Sequence, residues 1–262
     1  MRELKLLVAL ILALGTFTLI NGCGGQAAST NAAMPAPAAP APPNPPSSPS
    51  STTISDIQKL GGWENCTAAC TNTPSAVFSL TQGLASPSMS GASARFQLLA
   101  GTQPFGSALW FKFLGSFDSA THFVYDLFFY IDNPSASQAL EFNVSQSANG
   151  SRYSFSTQCD LAGQQVWRVW EPVAQKWIPS SVPCVRPPPN TWNHLIWEFE
   201  RDSMGNVIFT AVTVNGNRGA VNLSVPHVAD NQSGLDVAFQ TDANLTATPY
   251  SVWLDKISLT YW

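Results

Sequence analysis

Charged residues are scarce in this chain. Lys, Arg, Asp and Glu together make up 11% of the 262 residues, with 16 acidic residues against 12 basic ones. An average soluble domain carries roughly 25% charged residues. Because no basic surface is available to neutralise phosphates, we predict that the protein has no nucleic-acid partner.

Metal-binding residues are also few. The three histidines, His122, His194 and His227, lie far apart in the sequence and belong to no metal-binding motif. No Asp-rich loop typical of calcium sites is present, and residues 230–231 and 242–244 come nearest to one. We therefore predict no metal site and no cofactor.

The chain has no apolar run long enough to span a bilayer. Arg2 and Lys5 precede an apolar stretch at residues 6–20, which is shorter than the ~20 residues that a transmembrane helix requires. A basic start followed by a short apolar run is typical of a secretory signal peptide. We therefore predict that residues 1–22 are a leader and that the protein is exported.

The leader ends in a motif that resembles a bacterial lipobox. Ile20, Gly22 and Cys23 stand at the positions of its aliphatic, small and cysteine residues. The resemblance implies that Cys23 becomes the lipidated N-terminus and attaches the protein to the cell envelope, without any other membrane contact. Gly24 rather than Asp follows, which favours the outer membrane of a Gram-negative host. An ordinary signal peptide with a chance cysteine is the alternative.

A proline-rich segment follows. Residues 24–52 contain no charged residue, and eight prolines lie between Pro35 and Pro49. Such a composition cannot form a core and favours an extended chain of ~3.1 Å per residue. We therefore predict three parts: a leader at 1–22, a lipidated, disordered linker at 23–52, and one folded monomeric domain at 53–262.

Aromatic residues are plentiful, and their spacing is that of strands. Apolar side chains alternate along residues 122–131, 140–145 and 194–200, and no amphipathic helix is apparent. Asn215-Gly216 is typical of a two-residue hairpin turn. The last strand changes phase near residues 255–256, which predicts a β-bulge. About a dozen such strands predict an all-β fold, a two-sheet antiparallel jelly-roll sandwich. Further strands are expected at residues 77–81, 94–99, 107–113, 152–158, 166–170, 207–215, 235–241 and 250–261.

Four cysteines remain beside Cys23. Three pairings are possible, and export permits disulfides. We favour Cys66 with Cys70 and Cys159 with Cys184, because each pair is adjacent in sequence and lies among turn residues. A zinc site is the alternative, but the spacings match no common zinc finger.

A family resemblance is carried by two segments. Residues 191–216, from Thr191-Trp192-Asn193-His194 to Asn215-Gly216, resemble the late hairpin of concanavalin A-like lectins, glucanases and laminin-G-type jelly rolls. The closing segment at 252–259 is similar to the last strand of the same superfamily. The whole chain also resembles bacterial surface lipoproteins. These resemblances support the fold, but a fold does not define a function.

The resemblance raises the question of glycoside hydrolysis. Glucanases of this superfamily carry their catalytic carboxylates on one strand, and the nearest match here runs from Glu141 to Gln146. Glu141 fits the nucleophile, but Asn143 and Gln146 stand where an aspartate and the proton donor belong. An amide cannot donate that proton, and hydrolysis normally requires two carboxyl groups. The sequence therefore favours a protein without this activity. A second carboxylate could still come from Asp126, Glu198 or Glu200.

Binding of sugar without catalysis requires aromatic faces and planar polar groups. By alternation, we place eight candidates and Ser145 on one polar strand face that would bind an oligosaccharide or polysaccharide, and we add Gln146 as a ninth candidate. The nine candidates are Trp110, Lys112, Asp126, Phe128, Tyr130, Glu141, Asn143, Gln146 and Arg152. Some of these aromatics would instead fill the core if the face assignment is wrong.

Other functional classes remain open. His122, Tyr130, Arg152 and Gln158 are residue types that a polysaccharide lyase would use, although no lyase motif is present. Trp167, Trp170 and Trp177 form an aromatic hairpin that is either a ligand rim or local packing. The sequence thus predicts a lectin-like lipoprotein, with a carbohydrate-active enzyme or a structural, protein-binding lipoprotein as alternatives.

Overall fold

The computed structural model describes residues 50–262. The predicted leader, Cys23 and almost all of the linker lie outside these residues. Residues 50–262 form sixteen strands and one short 3-10 turn, Ile57–Lys59. Within the described residues, no helix has the length and apolar character needed to cross a bilayer.

The strands form two antiparallel sheets. Sheet A contains β1 (Thr52–Ile54), β3 (Phe78–Leu84), β4 (Ser93–Leu98), β6 (His122–Ile131), β11 (Trp192–Arg201), β12 (Val207–Val214), β13 (Asn217–Val225) and β16 (Tyr250–Tyr261). Sheet B contains β2 (Glu64–Thr67), β5 (Ser107–Gly115), β7 (Ser137–Ala148), β8 (Ser151–Asp160), β9 (Val166–Glu171), β10 (Lys176–Pro183), β14 (Val228–Ala229) and β15 (Gly234–Ala243).

The strand orders confirm the predicted sandwich. Sheet A runs β13-β12-β11-β6-β16-β4-β3, with β1 paired to the end of β16. Sheet B runs β10-β9-β8-β7-β15-β5-β2, with β14 beside β8. Neighbours in a sheet are mostly distant in sequence because the chain crosses repeatedly between the sheets. Consecutive strands such as β6 and β7 therefore belong to opposite layers.

Aromatic side chains dominate the core between the sheets. Phe142 and Phe239 pack with ring centroids 5.3 Å apart, and Trp167 meets Trp197 edge to face at 5.3 Å. All four are at most 1% exposed. Burial of a large apolar side chain stabilises a fold by ~1.5–3 kcal/mol. The abundance of aromatics thus serves the core first.

Two local predictions are confirmed. Asn215 and Gly216 have φ values of 51° and 83° and join β12 to β13 where Val214 pairs with Asn217. These positive φ values are those of the type I′ turn, which favours Asn-Gly. The register of β16 against β6 shifts between Asp255 and Ser258, so the predicted bulge is present.

Five strands were absent from the predicted strand ranges, and β10 and β13 are the longest of them, although the predicted aromatic hairpin already included Trp177 of β10. β10 contains Pro179 and Pro183, which cannot donate ladder hydrogen bonds, and β13 is interrupted by Asn222 at a φ of 51°. Both strands are edges of their sheets. Edge strands are hydrogen-bonded on one side only and therefore tolerate such residues. Because these residues break the apolar–polar alternation, the two strands were not recognised from the sequence.

The predicted disulfide pairing is confirmed: Cys66 bonds to Cys70, and Cys159 bonds to Cys184. Disulfides persist in oxidising compartments, so the domain has the bonds expected of an extracytoplasmic protein.

We expect the two disulfides to contribute unequally to stability. The Cys159–Cys184 bond closes 25 residues and the Cys66–Cys70 bond only four. Chain entropy then predicts a loss of about 3.5 kcal/mol for Cys159→Ser with Cys184→Ser, and about 2 kcal/mol for Cys66→Ser with Cys70→Ser. Urea unfolding of the two double variants measures both values, and a larger loss from the short loop would contradict the prediction.

Candidate functional site

The candidate ligand residues do not share one face. Trp110 is fully buried between Phe78 and Phe96, with ring centroids at 5.5 and 5.2 Å. Gln146 is also fully buried and donates hydrogen bonds to the carbonyls of Phe117 and Ala120. The prediction is corrected for these two residues, because both point into the protein from their strands.

Lys112 shares the strand parity of Trp110 and lies nearer the end of β5. Its Nζ lies close to Gly62, where an added Cβ would be 3.4 Å from it. Because both faces of β5 carry apolar side chains, alternation could not assign its orientation. Lys112 is partly exposed but is not on the polar face described below.

Three candidates lie on the outer face of sheet A. Asp126 Oδ1 lies 2.7 Å from His194 Nε2, and the His194 ring stacks on Phe128 with ring centroids 4.2 Å apart. Tyr130 contacts Trp192 and Trp253. The outer faces of the two sheets point in opposite directions, so these residues cannot share a groove with those of β7. The predicted single groove is therefore wrong.

Glu141, Asn143 and Arg152 lie on the outer face of sheet B. Between them, Leu140, Phe142 and Val144 point into the core. The strand parity also settles the comparison with the glucanase pattern: Ser145, not Gln146, follows Glu141 and Asn143 on this face. The residues that stand at the later positions of the glucanase pattern, Asn143, Ser145 and Gln146, are not carboxylates.

A row of hydrogen-bonded polar side chains crosses this face. Glu141 Oε1 accepts hydrogen bonds from Gln158 Nε2 at 2.8 Å and from Gln240 Nε2 at 2.9 Å. Arg168 donates to Gln158 Oε1 and also lies 3.3 Å from Asp160. The register places Gln240, Glu141, Gln158 and Arg168 side by side on β15, β7, β8 and β9. The row thus offers amide, carboxyl and guanidinium groups in one line.

A second carboxyl lies beside this row. Gln240 Nε2 also donates to Asp242 Oδ1 at 2.9 Å, so one amide links Asp242 to Glu141. Burial, reinforced by the negative charge of Asp242, raises the pKa of Glu141 well above its ordinary value. Burial likewise raises the pKa of Asp242. Both carboxyls are thus buried at a cost in free energy, and strongly shifted pKa values of this kind are typical of functional sites.

We expect Glu141→Gln to stabilise the fold at neutral pH. A carboxyl whose pKa is raised on folding loses its stabilising contribution as the pH rises through that raised pKa, so the wild-type protein loses stability as the pH rises above the ordinary carboxyl range. The glutamine carbonyl can still accept from Gln158 and Gln240. We expect a gain on the order of 1 kcal/mol in the free energy of unfolding at pH 7.

Thermal unfolding from pH 4 to pH 8 measures this effect. Glu64→Gln, an exposed residue of β2 in the same sheet, is the control that removes a charge without removing a buried one. A gain that is equal in both variants, or that does not grow with pH, would contradict the assignment.

Small residues form the floor next to the polar row, and aromatics form its borders. The register places Phe111, Ala238, Asn143 and Ser156 side by side, with Trp170 and Trp177 continuing onto β9 and β10. Ala238 and Asn143 are 6% and 7% exposed. Phe111 on β5 and Trp170 on β9 are separated by four inter-strand spacings, about 19 Å. The floor is therefore recessed between two aromatic walls.

The Trp170–Trp177 pair forms the more substantial wall. The two rings meet edge to face with centroids 5.2 Å apart, and the Arg168 guanidinium lies 6.0 Å from the Trp177 ring. Both tryptophans are only partly buried. Trp167, by contrast, is 1% exposed and belongs to the core. In the aromatic hairpin, Trp167 therefore packs in the core, whereas Trp170 and Trp177 lie at the border of the floor.

Arg152 lies at the other end of the same face. It is 3.9 Å from Asp236, the outward residue of β15 at this level. Burial raises the pKa of Asp236 to about 6, although the Arg152 charge acts in the opposite direction. Arg152 therefore borders the face without reaching the Glu141 row.

Sequence reasoning missed Gln240, Asp242 and Arg168. Gln240 and Asp242 alternate along β15 with the buried Phe239 and Thr241. The alternation that identified the strand could therefore also have placed these two residues on its outer face. What the sequence could not supply is the neighbour relation, because β15 inserts between β5 and β7 from a hundred residues away.

Among residues 50–262, no group of three or more His, Cys, Asp or Glu side chains is arranged to hold a metal ion. Asp230, one weak calcium candidate, accepts hydrogen bonds from Ser147 and from the backbone of Gln232. Asn244, part of the other, accepts from Thr246 and so caps a turn.

No family model matches the chain, and no curated protein matches it. Solved structures of similar fold include a carbohydrate esterase of a Shiga toxin-encoding bacteriophage, at 15% identity and a TM-score of 0.46 over 81% of this chain and 99% of that one. Lectin I from Ulex europaeus, in complex with a fucose glycoside, gives 9% identity and 0.46 over 80% and 98%. An alginate lyase from Aplysia kurodai gives 12% and 0.47 over 69% and 86%. Similarities this low assign the chain neither a family nor a function.

Proposed function

We propose that the protein is a carbohydrate-binding, lectin-like protein whose ligand face is the outer face of sheet B. The observation that carries the proposal is the hydrogen-bonded row of Gln240, Glu141, Gln158 and Arg168 beside a recessed floor with aromatic borders. This face includes only three of the nine candidates predicted from sequence: Glu141, Asn143 and Arg152.

The chemistry of this face matches that of a sugar chain. Sugar rings present apolar C–H surfaces that pack on aromatic rings, and hydroxyls that are both donors and acceptors. Trp170 and Trp177 supply the rings, while the amides and carboxyl of the row supply both kinds of hydrogen-bonding partner. Because the row is already held by its own hydrogen bonds, binding requires little reordering of side chains.

Affinity electrophoresis tests the proposal. The chain from residue 24 to 262 is run through native gels that contain β-glucans, xylan, pectin, alginate or chitin-derived polymers. Retardation in one gel without clearing of the polymer supports a binding protein and identifies its ligand class. Equal migration in all gels, together with capture of an envelope protein, would favour a structural or protein-binding role instead.

A carbohydrate-active enzyme is the second candidate, favoured by the Glu141–Asp242 pair. Two carboxyls on one face, linked by Gln240 and with raised pKa values, are the groups that glycoside hydrolysis uses. The protonated member would donate a proton to the leaving oxygen. Release of reducing ends from the retarded polymer, abolished by Glu141→Gln and by Asp242→Asn, would establish this activity. Unsaturated products would instead indicate a lyase.

We also propose that Cys23 is lipidated and that the linker holds the domain away from an envelope membrane. A 29-residue extended linker reaches at most about 90 Å, and several acyl chains on one residue anchor stably. Growth of the host with an alkyne-tagged fatty acid tests this, with Cys23→Ala as the control. Label that persists in Cys23→Ala would contradict the assignment.

A further inference from the structure

A cavity of about 440 Å³ lies between the two sheets, at the side where β10 and β13 approach each other. It is lined on the sheet B side by Leu140, Phe142 and Trp167, and on the sheet A side by Phe129, Val212 and Val214. These side chains point inward from their strands. Leu140 and Phe142 flank Glu141 in sequence, so the cavity and the polar face lie on opposite sides of β7.

The size and lining of this cavity exceed those of packing defects. Protein interiors normally contain few voids larger than a water molecule, whereas small-molecule sites typically measure 300–1,000 Å³. An apolar cavity of only about 150 Å³ already binds small apolar molecules. Trp167 Nε1 is a buried donor without a hydrogen-bond partner among the described residues. The lining thus combines a large apolar surface with one unused donor.

The wall of the cavity is held rigid from outside. Residues 183–188 form its rim, and this segment contains three prolines and Cys184. The disulfide ties Cys184 to Cys159 on β8, and both cysteines line the cavity. On the opposite rim, Gly219 packs closely on Val182. A Cβ added at Gly219 would lie only 2.6 Å from the valine side chain. The cavity is therefore preformed and does not require a conformational change to open.

The rim carries positive charge. Arg186 donates one hydrogen bond to the carbonyl of Leu161 and forms no salt bridge with any residue of the described chain. Arg218, also on the rim, is neutralised by two hydrogen bonds of 2.8 Å to Glu198. The remaining donors of Arg186 are therefore available to an anionic group at the mouth.

We propose that this cavity binds a single slender apolar molecule with an acidic head group, such as a free long-chain fatty acid. The chain would occupy the space between Phe142, Trp167 and Val212, and the carboxylate would lie at the rim beside Arg186. The site is separate from the sugar-binding face and does not depend on it.

Binding of cis-parinaric acid, followed by its fluorescence, tests the proposal on the chain from residue 24 to 262. We expect saturable binding of one molecule per protein and displacement by dodecanoate. Dodecanol should displace it roughly tenfold less well, because it lacks the charge that Arg186 binds. In Arg186→Gln, this preference for the acid should largely disappear.

Val212→Phe should fill the cavity and abolish binding without lowering the unfolding temperature, since the added ring occupies empty apolar space. Val214→Phe at the mouth gives a second test if Val212→Phe does not fold. Met204→Phe, in the exposed turn between β11 and β12, is the control that adds the same ring elsewhere. Absence of parinaric acid binding, or equal binding in Val212→Phe and wild type, would overturn the proposal. Polysaccharide retardation should be the same in all these variants, so failure of this site is distinguishable from failure of the sugar face.

Discussion

Trp177→Ala is expected to lower the affinity for the polysaccharide identified by electrophoresis on the order of 30-fold, which corresponds to the ~2 kcal/mol of a binding hot spot. The Trp177 ring is partly exposed at the border of the recessed floor and is held edge to face against Trp170. Its removal deletes the face on which a sugar ring would stack and leaves the hydrogen bonds of the polar row in place, although Arg168 loses its contact with the ring. Isothermal titration with oligosaccharides of the same polymer measures the loss.

Trp192→Ala is the matched control. Trp192 is also partly buried and also contacts another aromatic, Tyr130, with ring centroids 5.4 Å apart, but it lies on the outer face of sheet A. We expect its affinity to equal that of the wild type. Loss of affinity in Trp192→Ala but not in Trp177→Ala would move the ligand to the face that carries Phe128 and Tyr130.

Asp255→Ala is expected to lower the free energy of unfolding by roughly 3–5 kcal/mol, because each buried donor left without an acceptor costs about 1–3 kcal/mol. The bulge in β16 directs this fully buried carboxylate toward the loop at residues 88–90. It accepts hydrogen bonds from both the hydroxyl and the backbone N–H of Ser90, from Ser88 and from Gln58. The backbone N–H groups of Met89 and Lys256 complete the set.

Removal of this acceptor leaves several donors without a partner, and the amide of the fully buried Gln58 keeps only its 3.3 Å hydrogen bond to Asp56. Asp255→Asn should be milder, because the amide oxygen still accepts about half of these bonds. Urea unfolding measures both variants. A loss in Asp255→Ala no larger than that of an exposed substitution such as Glu64→Ala would contradict this role.

The same residue predicts sensitivity to acid. Burial tends to raise the pKa of Asp255, but the hydrogen bonds from Ser88, Ser90 and Met89 outweigh it and hold the pKa at about 2. A carboxylate with a lowered pKa stabilises the fold above its unfolded value of about 3.9, and this contribution, roughly 2–3 kcal/mol, is lost as the pH falls toward 2. This pH dependence is opposite in sign to the one that Glu141 causes. The free energy of unfolding should therefore be greatest in the mildly acidic range.

Much of the architecture followed from local sequence. Alternation along residues 122–131 and 250–261 predicted β6 and β16 with their observed bounds. Asn-Gly identified the β12–β13 turn, and the break in phase identified the bulge at Asp255. Each of these features depends on the chemistry of a few neighbouring residues, which the sequence displays directly.

The candidate site was less accessible to sequence reasoning. Glu141 and Asn143 were placed on a shared face because they lie two residues apart on one strand. Trp110 was misplaced because β5 is apolar on both faces. Asp126, Phe128 and Tyr130 lie on the outer face of β6, as alternation placed them, but in the sheet opposite to that of Glu141. Alternation defines two faces of a strand but does not say which of them meets the core or which sheet the strand joins.

The sequence by itself determined the all-β fold, most strand positions, the turn at Asn215-Gly216 and the disulfide pairing that we favoured. Only the tertiary structure decided that β15 lies between β5 and β7, and hence that Gln240 and Asp242 lie beside Glu141. It also decided that the sheets leave an apolar cavity beneath Val212. The physical reason is that hydrophobic periodicity, with a period of 3.6 residues in helices and 2 in strands, depends only on neighbouring residues. The order of strands in a sheet depends instead on how apolar faces that are far apart in the sequence pack together.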